Sequence, residues 1–253
     1  MPVGPCPLFP LGADSLGRDV LSRVLYGTRI SLTVGTVAML TATAIGVLVG
    51  LLAGYDRRRV DTVLMRFTDI MMTIPTLLLA IALAGLMDGR VVHLHPSWLH
   101  APSLDLELKP GLASIFLVIG PVSWTYIARP VRAVVLSLRE REFVEGARAI
   151  GCSHVRIIWR HILPNVLPAI IVLAAMGTAG TITLEAGLSY LGVGIPPPAP
   201  SWGRMINEGQ QYLLIAPWLV LTPGVAVVIA VVASNLLGQG LQDVLDPHHR
   251  SRR

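Results

Sequence analysis

The sequence has little charge and almost no lysine: 14% of its 253 residues are charged, and Lys109 is the only lysine. Soluble globular domains carry about 25% charged residues, so this composition argues against a soluble domain. Hydrophobic residues make up 53% of the chain and occur in blocks too long for the core helices of a soluble protein. The composition therefore predicts a membrane protein and excludes a nucleic-acid-binding protein, although the formal net charge is +5.

Cysteine is also scarce, and no cleavable signal peptide is visible. Cys6 and Cys152 are the only cysteines, and neither has the spacing of a metal ligand. We place them on opposite sides of the membrane, which argues against a disulfide bond. Residues 1–15 lack the charged start and the apolar run of a signal peptide.

Long hydrophobic stretches are what the chain has in abundance, and they predict an all-α protein, a polytopic bundle of transmembrane helices. Five stretches approach the ~20 residues needed to cross the hydrocarbon core of a bilayer. These spans are Ile30–Gly54, Ile70–Met87, Gly111–Ala128, Val166–Gly187 and Ala216–Gly238. Gly46 and Gly50 have the spacing that lets helix backbones approach closely, although glycine also simply tolerates lipid. Pro75 and Pro121 lie inside spans, where proline is ordinary but can kink a helix.

Arginine alternates between the connections that join the predicted spans. Residues 55–69, 129–165 and 241–253 are rich in arginine, whereas residues 88–110 and 188–215 hold only Arg90, Lys109 and Arg204 as basic residues other than histidine. Because cytoplasmic connections carry the excess of basic residues, we place the arginine-rich segments in the cytoplasm. The C-terminus is then inside and the N-terminus outside. An external N-terminus without a signal peptide is uncommon, so we expect that a preceding span is missing.

The segment before the fourth predicted span is charged and interrupted by glycine. Phe143, Ala147 and Ile150 recur at helical spacing and predict a short helix with one apolar face. Gly151 ends that helix, and Ser153 is the predicted N-cap of a second one. The second helix has one apolar face and one basic face, and prolines flank the start of the span that follows. Its residues are Val155, Ile158, Trp159 and Ile162, then Arg156 and Arg160, then Pro164 and Pro168.

Two interpretations of this segment remain open on the pattern alone. A basic amphipathic helix at a membrane most often lies on lipid headgroups. Alternatively, the segment docks into a groove on a soluble partner. Glu140, Glu142 and Glu145 favour the partner, because a lipid-binding surface avoids acidic side chains.

The same segment resembles the EAA loop of bacterial ABC-importer permeases, in which an acidic and two small residues precede a glycine and a Leu-Pro pair. The matching residues here are Glu145, Gly146, Ala147, Gly151, Leu163 and Pro164. Gly146 replaces the usual alanine, and His161 stands where many importers have isoleucine. HILPN, from His161 to Asn165, is similar to the peptide/nickel branch, as are residues 11–32 and 188–206. The resemblance to DppC/OppC-type permease subunits covers most of the chain in the right order.

The resemblance implies the fold of a type I ABC-importer permease, which normally has six spans. Residues 30–240 are then the transmembrane permease domain, with a cytoplasmic coupling loop over 129–165. Residues 1–29 are an external segment, and residues 241–253 a cytoplasmic tail. The resemblance also implies which residues couple the chain to an ATPase. They are Glu145, Gly146, Ala147, Gly151, His161, Leu163, Pro164 and Asn165.

The resemblance implies that the chain forms the pathway of an ATP-driven importer in the bacterial inner membrane. The expected solute is a di- or oligopeptide, with nickel or another small solute as alternatives. The expected partners are ABC ATPase subunits, a second related permease subunit, an external solute-binding protein and the lipid bilayer. A Walker A loop requires Gly-Lys-Ser/Thr, but Lys109 precedes Pro110, so ATP must be hydrolysed elsewhere. We therefore expect no enzyme and no cofactor in this chain. The alternative function is a stand-alone gated channel whose amphipathic segment senses lipid.

Further polar residues are candidate site residues. Glu185 lies near the outer end of the fourth span, where it either lines the pathway or lies at the interface at little cost. His93, His95 and His100 have side chains that suit nickel or zinc. Such loose spacing in a loop is more typical of solvated polar residues, so we assign no metal site. Ser189 is not predicted to be a nucleophile, because no histidine base lies within a span.

Overall fold

The structure, a computed structural model, describes residues 2–56, 59–87, 91–94, 104–107 and 112–245. Most of these residues are helical, which confirms the predicted fold class. The helices are α1 Val20–Tyr55, α2 Arg59–Thr73, α3 Thr76–Met87, α4 Leu112–Ser123, α5 Thr125–Leu138, α6 Glu142–Ala149, α7 His154–Ile157, a π-helical turn Ile158–Ile162, α8 Leu163–Tyr190, α9 Trp202–Gly209, a 3₁₀ turn Gln210–Tyr212 and α10 Trp218–Leu245.

One short antiparallel pair of strands accompanies the helices and was not predicted. The strands are β1 Val91–Leu94 and β2 Leu104–Glu107, with Val91 opposite Glu107. The sequence of β2, LDLE, alternates apolar and acidic residues, which is the period-two signal of a strand.

Among the described residues, three helical stretches are long and apolar enough to cross a membrane: Val20–Tyr55, His154–Tyr190 and Trp218–Leu245. The helix pair α2 and α3 counts as a fourth only if the two are taken together. The predicted second span is broken between them at Ile74 and Pro75, because the residue before a proline is driven out of helical conformation. Five spans are therefore not confirmed for the residues that the structure describes.

The predicted third span is also divided, at Trp124, between α4 and α5. Pro121 lies inside α4, and Trp124 keeps helical φ and ψ angles of −61° and −25°, so the division is slight. The two helices have 12 and 14 residues, each short of the ~20 that a straight span needs.

By contact density, the chain divides into two compact units. Unit 1 comprises Met1–Thr36, Leu77–Ile119 and Ile182–Ala230, and unit 2 comprises Val37–Thr76, Gly120–Thr181 and Val231–Arg253. Helices α1, α8 and α10 each contribute residues to both units.

In unit 1, ion pairs hold the segment that precedes α1. The Asp14 carboxylate accepts hydrogen bonds from Arg18 Nε at 2.7 Å and from Arg23 Nη1 at 2.8 Å. Arg23 Nη2 also donates to Glu208 on α9, at 2.9 Å. Asp14 is buried. The segment before α1 and the helix α9 are therefore joined through Arg23.

In unit 2, α1 lies directly against α5. Gly46 and Gly50, four residues apart on α1, face Ile127 and Val131, four residues apart on α5. A Cβ atom at Gly46 would lie 2.6 Å from Ile127 Cβ, and one at Gly50 would lie 2.7 Å from Val131 Cγ1. Only glycine permits this distance, so the close helix approach that the spacing predicts is confirmed.

Candidate coupling site

The first helix of the candidate coupling site, α6, ends in a glycine turn as predicted. Gly151 has a φ of +81°, in the left-handed region that favours glycine. The backbone N–H of Gly151 donates to Arg148 O, and that of Cys152 donates to Ala147 O, both at 3.0 Å. These two bonds form a Schellman motif, which satisfies carbonyls that the helix end leaves without partners. Gly151 is therefore required by the backbone conformation itself.

The next helix begins where the sequence predicts, but it does not stop at the prolines. Ser153 is the N-cap: its backbone is extended, and its hydroxyl accepts from the N–H of Arg156 at 3.4 Å. The chain then stays helical from His154 to Tyr190, so the predicted second short helix is instead the start of the fourth span. Leu163 N–H bonds to Ile158 O in a π-turn. We attribute the uninterrupted helix to this wider turn directly before Pro164, because proline cannot donate its own helical bond.

The helix α6 is present as predicted, but the three apolar residues that predict it differ in burial. Ala147 is buried, but Phe143 is 41% exposed and Ile150 is 81% exposed. Val144 packs into the core with Ala147 instead. Because α6 carries apolar residues on several sides, periodicity alone does not identify the side that faces the core.

The helix that begins at His154 likewise has both buried and exposed apolar side chains. Ile157 and Ile162 are buried in the core of unit 2, whereas Val155 is 66% exposed and Trp159 is 63% exposed. We call Phe143, Ile150, Val155 and Trp159 the exposed apolar set. The candidate coupling site thus presents large apolar side chains outward as well as inward.

The predicted coupling residues fall into two groups. Glu145, Gly146 and Gly151 are exposed, and no atom outside the local backbone lies within 4 Å of a Cβ built at either glycine. Glu145 borders a cleft of about 150 Å³ together with Tyr55 and Arg148.

Of the remaining predicted coupling residues, one is buried in the core and the others lie around the start of α8. Ala147 is buried in the core. At the start of α8, His161 and Leu163 are half-buried, and Pro164 and Asn165 are exposed. The Asn165 side chain donates to the carbonyl of His161 at 2.6 Å.

Three side chains hold the coupling site to the end of α1, and sequence reasoning missed all of these contacts. Arg139 Nη1 donates to the carbonyl of Gly54 at 2.7 Å in a buried position. The guanidinium carbon of Arg148 lies 5.6 Å from the centroid of the Tyr55 ring. The Tyr55 hydroxyl is hydrogen-bonded to His154 Nδ1 at 2.7 Å. Because the partners are 85 to 99 residues apart in sequence, no local pattern signals these contacts.

Glu185 is fully buried in unit 1, and its position relative to the membrane interface stays a prediction. Its Oε1 accepts a hydrogen bond from the Ser189 hydroxyl at 2.7 Å. The hydroxyls of Ser31 on α1 and Ser201, the N-cap of α9, lie beside the same carboxylate. Desolvation of a carboxylate is costly, and these hydroxyls compensate part of that cost. Its role in the solute pathway stays a prediction.

The histidines weighed as metal ligands are only partly within the described residues. His93 lies in β1, whereas His95 and His100 lie outside the described residues. In the part of the chain that the structure describes, no group of three or more His, Cys, Asp or Glu residues has metal-binding geometry. The prediction of no cofactor therefore stays a prediction.

The chain is similar to known membrane components of transport systems. Residues 46–251 match the family described as binding-protein-dependent transport system inner membrane components. The dipeptide transport system permease protein DppC of Alkalihalophilus pseudofirmus is 39% identical, covering 98% of this chain and 75% of that protein. The glutathione transport system permease protein GsiD of Pectobacterium atrosepticum is 38% identical with the same coverage. A probable peptide ABC transporter permease protein of Sinorhizobium fredii is 42% identical, over 96% of this chain and 76% of that one.

Solved structures resemble the fold at low sequence identity. A chain of the MetNI methionine ABC transporter has a TM-score of 0.68 and 19% identity, covering 89% of this chain and 97% of its own. A chain from an amino acid ABC transporter with histidines has a TM-score of 0.55 and 15% identity, covering 91% and 94%. At this identity the likeness concerns the fold alone.

Proposed function

Because this chain belongs to the family of binding-protein-dependent transport system inner membrane components and is a permease subunit of an ABC importer, we propose that its solute is a di- or oligopeptide. The observation that carries this proposal is the near-complete similarity, 39% identity over 98% of the chain, to a permease named for dipeptide transport. The relative named for glutathione transport fits the same class, since glutathione is a tripeptide. The alternative of a stand-alone gated channel is not supported.

Uptake of a radiolabelled dipeptide tests the solute class. Cells that express the importer with and without this chain are compared, and unlabelled di- and tripeptides and nickel ions are added as competitors. We expect uptake that depends on this chain and that peptides compete for. Uptake of nickel, with no competition by peptides, would contradict the proposal and support the nickel alternative.

We further propose that α6 and the Gly151 turn dock onto the ATPase. Exposed apolar patches on a soluble surface mark contact sites, and the exposed apolar set lies among charged residues of the same segment. Gly146 adds a second argument: it is helical and exposed, and its own chain leaves open space where a side chain would go. Among the described residues, no atom outside the local backbone would contact a Cβ at Gly146, so the small residue that the resemblance implies there is best explained by a closely approaching partner.

Substitution at Gly146 separates docking from folding. Gly146→Leu should insert in the membrane at normal abundance and lose most of the co-purifying ATPase, because its side chain fills space that the partner needs. Gly146→Ala, the residue usual at this position in the family, is the matched control and should keep the ATPase. Equal ATPase recovery with both variants would contradict docking at this surface.

The orientation of the chain is a proposal that rests on the distribution of arginine. We propose that the coupling site and the C-terminus face the cytoplasm and that residues 188–215 face outward. Single cysteines at Arg148 and Pro197, in a chain whose Cys6 and Cys152 are replaced by serine, report this directly. A membrane-impermeant maleimide should label only the Pro197→Cys protein in intact cells. Labelling of Arg148→Cys would reverse the orientation.

The assembly is proposed on the same family basis. ATP hydrolysis would reside in separate ABC ATPase subunits, with a second related permease and an external solute-binding protein as further partners, and this chain would bind no cofactor and no nucleic acid. The lone lysine, which is followed by proline, supports this division of labour because a Walker A loop is absent. Affinity purification of the tagged chain should recover an ATPase and a second permease. ATP hydrolysis by the isolated chain would contradict the proposal.

A further inference from the structure

A tyrosine at the end of α1 contacts both sides of the Gly151 turn. Arg148, three residues before Gly151, has its guanidinium carbon 5.6 Å from the Tyr55 ring centroid. His154, three residues after Gly151, is hydrogen-bonded through Nδ1 to the Tyr55 hydroxyl at 2.7 Å. The His154 ring also meets the tyrosine ring edge-on, with centroids 5.6 Å apart. Tyr55 therefore bridges the last turn of α6 and the first turn of α7.

Backbone hydrogen bonds shape the Gly151 turn, and side chains on two sides of it hold α6 and α7. A Cβ at Gly151 would meet no atom within 4 Å, so this point of the chain is open. Ala147 and Ile157 hold the two helices from the apolar side, in the core of unit 2. On the polar side, Tyr55 contacts both helices, through Arg148 and His154.

The backbone directly before Tyr55 packs closely against α5. A Cβ at the preceding residue, Gly54, would lie 2.6 Å from Val135 Cβ, so α1 and α5 are in close backbone contact at this level. The carbonyl of Gly54 accepts the buried hydrogen bond from Arg139. Carbonyls in the last turn of a helix lack helical partners and carry partial negative charge, which a guanidinium complements. The end of α1 is thus fixed against α5.

We propose that Tyr55 is a positioning residue for transport, which sets the angle of the Gly151 turn and makes the turn move together with α1. It would act through Arg148 and His154, without touching solute or nucleotide. A displacement of α6 by the ATPase would then reach α1, a 36-residue helix, through the tyrosine ring and hydroxyl. This inference rests on the proposed docking of the ATPase to α6.

Tyr55→Phe tests the hydroxyl while it keeps the ring beneath Arg148. We expect the reconstituted importer to retain its ATPase and to transport about fivefold less solute per ATP, the effect of losing one ordinary hydrogen bond from a two-state element. Tyr126→Phe is the matched control, because that hydroxyl lies in an exposed contact 3.3 Å from Thr76; it should behave as wild type. His154→Ala should lower the ratio at least as much as Tyr55→Phe, because it removes the edge-on ring contact as well as the hydrogen bond. The double variant should be no worse than His154→Ala alone, because Tyr55→Phe removes only the bond that this variant has already lost.

A distance measurement makes the result independent of transport. Spin labels at Ala149→Cys and Arg156→Cys, with Cys6 and Cys152 replaced by serine, report the distance across the turn by double electron–electron resonance. We expect Tyr55→Phe to broaden this distribution and Tyr126→Phe to leave it narrow. An unchanged distribution, or an unchanged transport-to-ATP ratio, would overturn the role of Tyr55. Normal ATPase binding by Gly146→Leu would instead overturn the docking proposal and leave the spin-label result intact.

Discussion

The Gly151→Val variant strains the backbone of the Gly151 turn, whereas its new side chain has open space around its Cβ atom. Gly151 has a φ of +81°, a conformation in which a β-branched residue is a clear outlier. Since no atom lies within 4 Å of a Cβ built there, the cost comes from the backbone alone. Such strain costs on the order of 1–3 kcal/mol. If the backbone relaxes to relieve it, the Schellman bonds to Ala147 and Arg148 are lost.

The size of this strain predicts a defect in coupling with little effect on membrane insertion. A cost of ~1–3 kcal/mol corresponds to roughly a 5- to 150-fold smaller population of the intact turn. We expect normal membrane abundance and normal association with the second permease, because the long helices do not depend on the turn. ATPase co-purification and solute uptake should both fall. The three quantities are measured by quantitative blotting, affinity purification and radiolabelled uptake, beside wild type.

Gly151→Asn is the matched control, because asparagine adopts the left-handed conformation more readily than other residues with side chains. It should retain substantially more ATPase binding and uptake than Gly151→Val. Normal docking and uptake in Gly151→Val would refute the claim that this turn carries coupling. Equal loss in both variants would show that side-chain size, and not backbone conformation, is the cause.

Three further predictions concern the stability of the purified importer, measured by thermal unfolding in detergent. Gly50→Leu should cost about 1–3 kcal/mol by overpacking the contact between α1 and α5, whereas Gly180→Leu, where a Cβ meets nothing within 4 Å, should have little effect. Burial raises the pKa of Asp14 and of Glu208, but hydrogen bonds and nearby arginine charges outweigh it and leave each pKa below its usual value of 3.8 or 4.5. The stability that each carboxylate adds is therefore complete above that usual value and is lost as the pH falls through the lowered pKa. The loss of stability that Asp14→Asn causes should accordingly shrink below pH 3.8. Glu185→Gln should remain stable, whereas Glu185→Leu should lose about 1–3 kcal/mol because buried serine hydroxyls lose their acceptor.

The turn at Gly151 could be predicted because its signals are local. The positive φ of Gly151 and the N-cap of Ser153 each act within three residues of chain. The break at Pro75 follows in the same way from the restriction on the residue before proline. The course of the helix past Pro164 could not be predicted, because it depends on a π-turn that has no residue signature in this sequence.

The division of apolar residues between core and surface depends on contacts that are remote in sequence. Val144 packs into the core while Phe143 is exposed, because the residues of α1 and α5 in the same core cluster determine which side of α6 is covered. The bond between Tyr55 and His154 spans 99 residues of sequence. From the sequence alone, a charged or aromatic residue with such a distant partner cannot be distinguished from an ordinary surface residue.

Gly146 and Gly151 look alike in the sequence, but the structure gives them different reasons to be glycine. Gly151 is required by its own φ, so its replacements should fail in proportion to backbone strain. Gly146 is helical and faces open space, so its replacements should fail in proportion to side-chain volume, and only when the ATPase is present. The first constraint belongs to the fold of this chain, and the second follows from the proposed docking of the ATPase. A segment that must keep its backbone conformation while it docks onto another subunit needs both kinds of glycine.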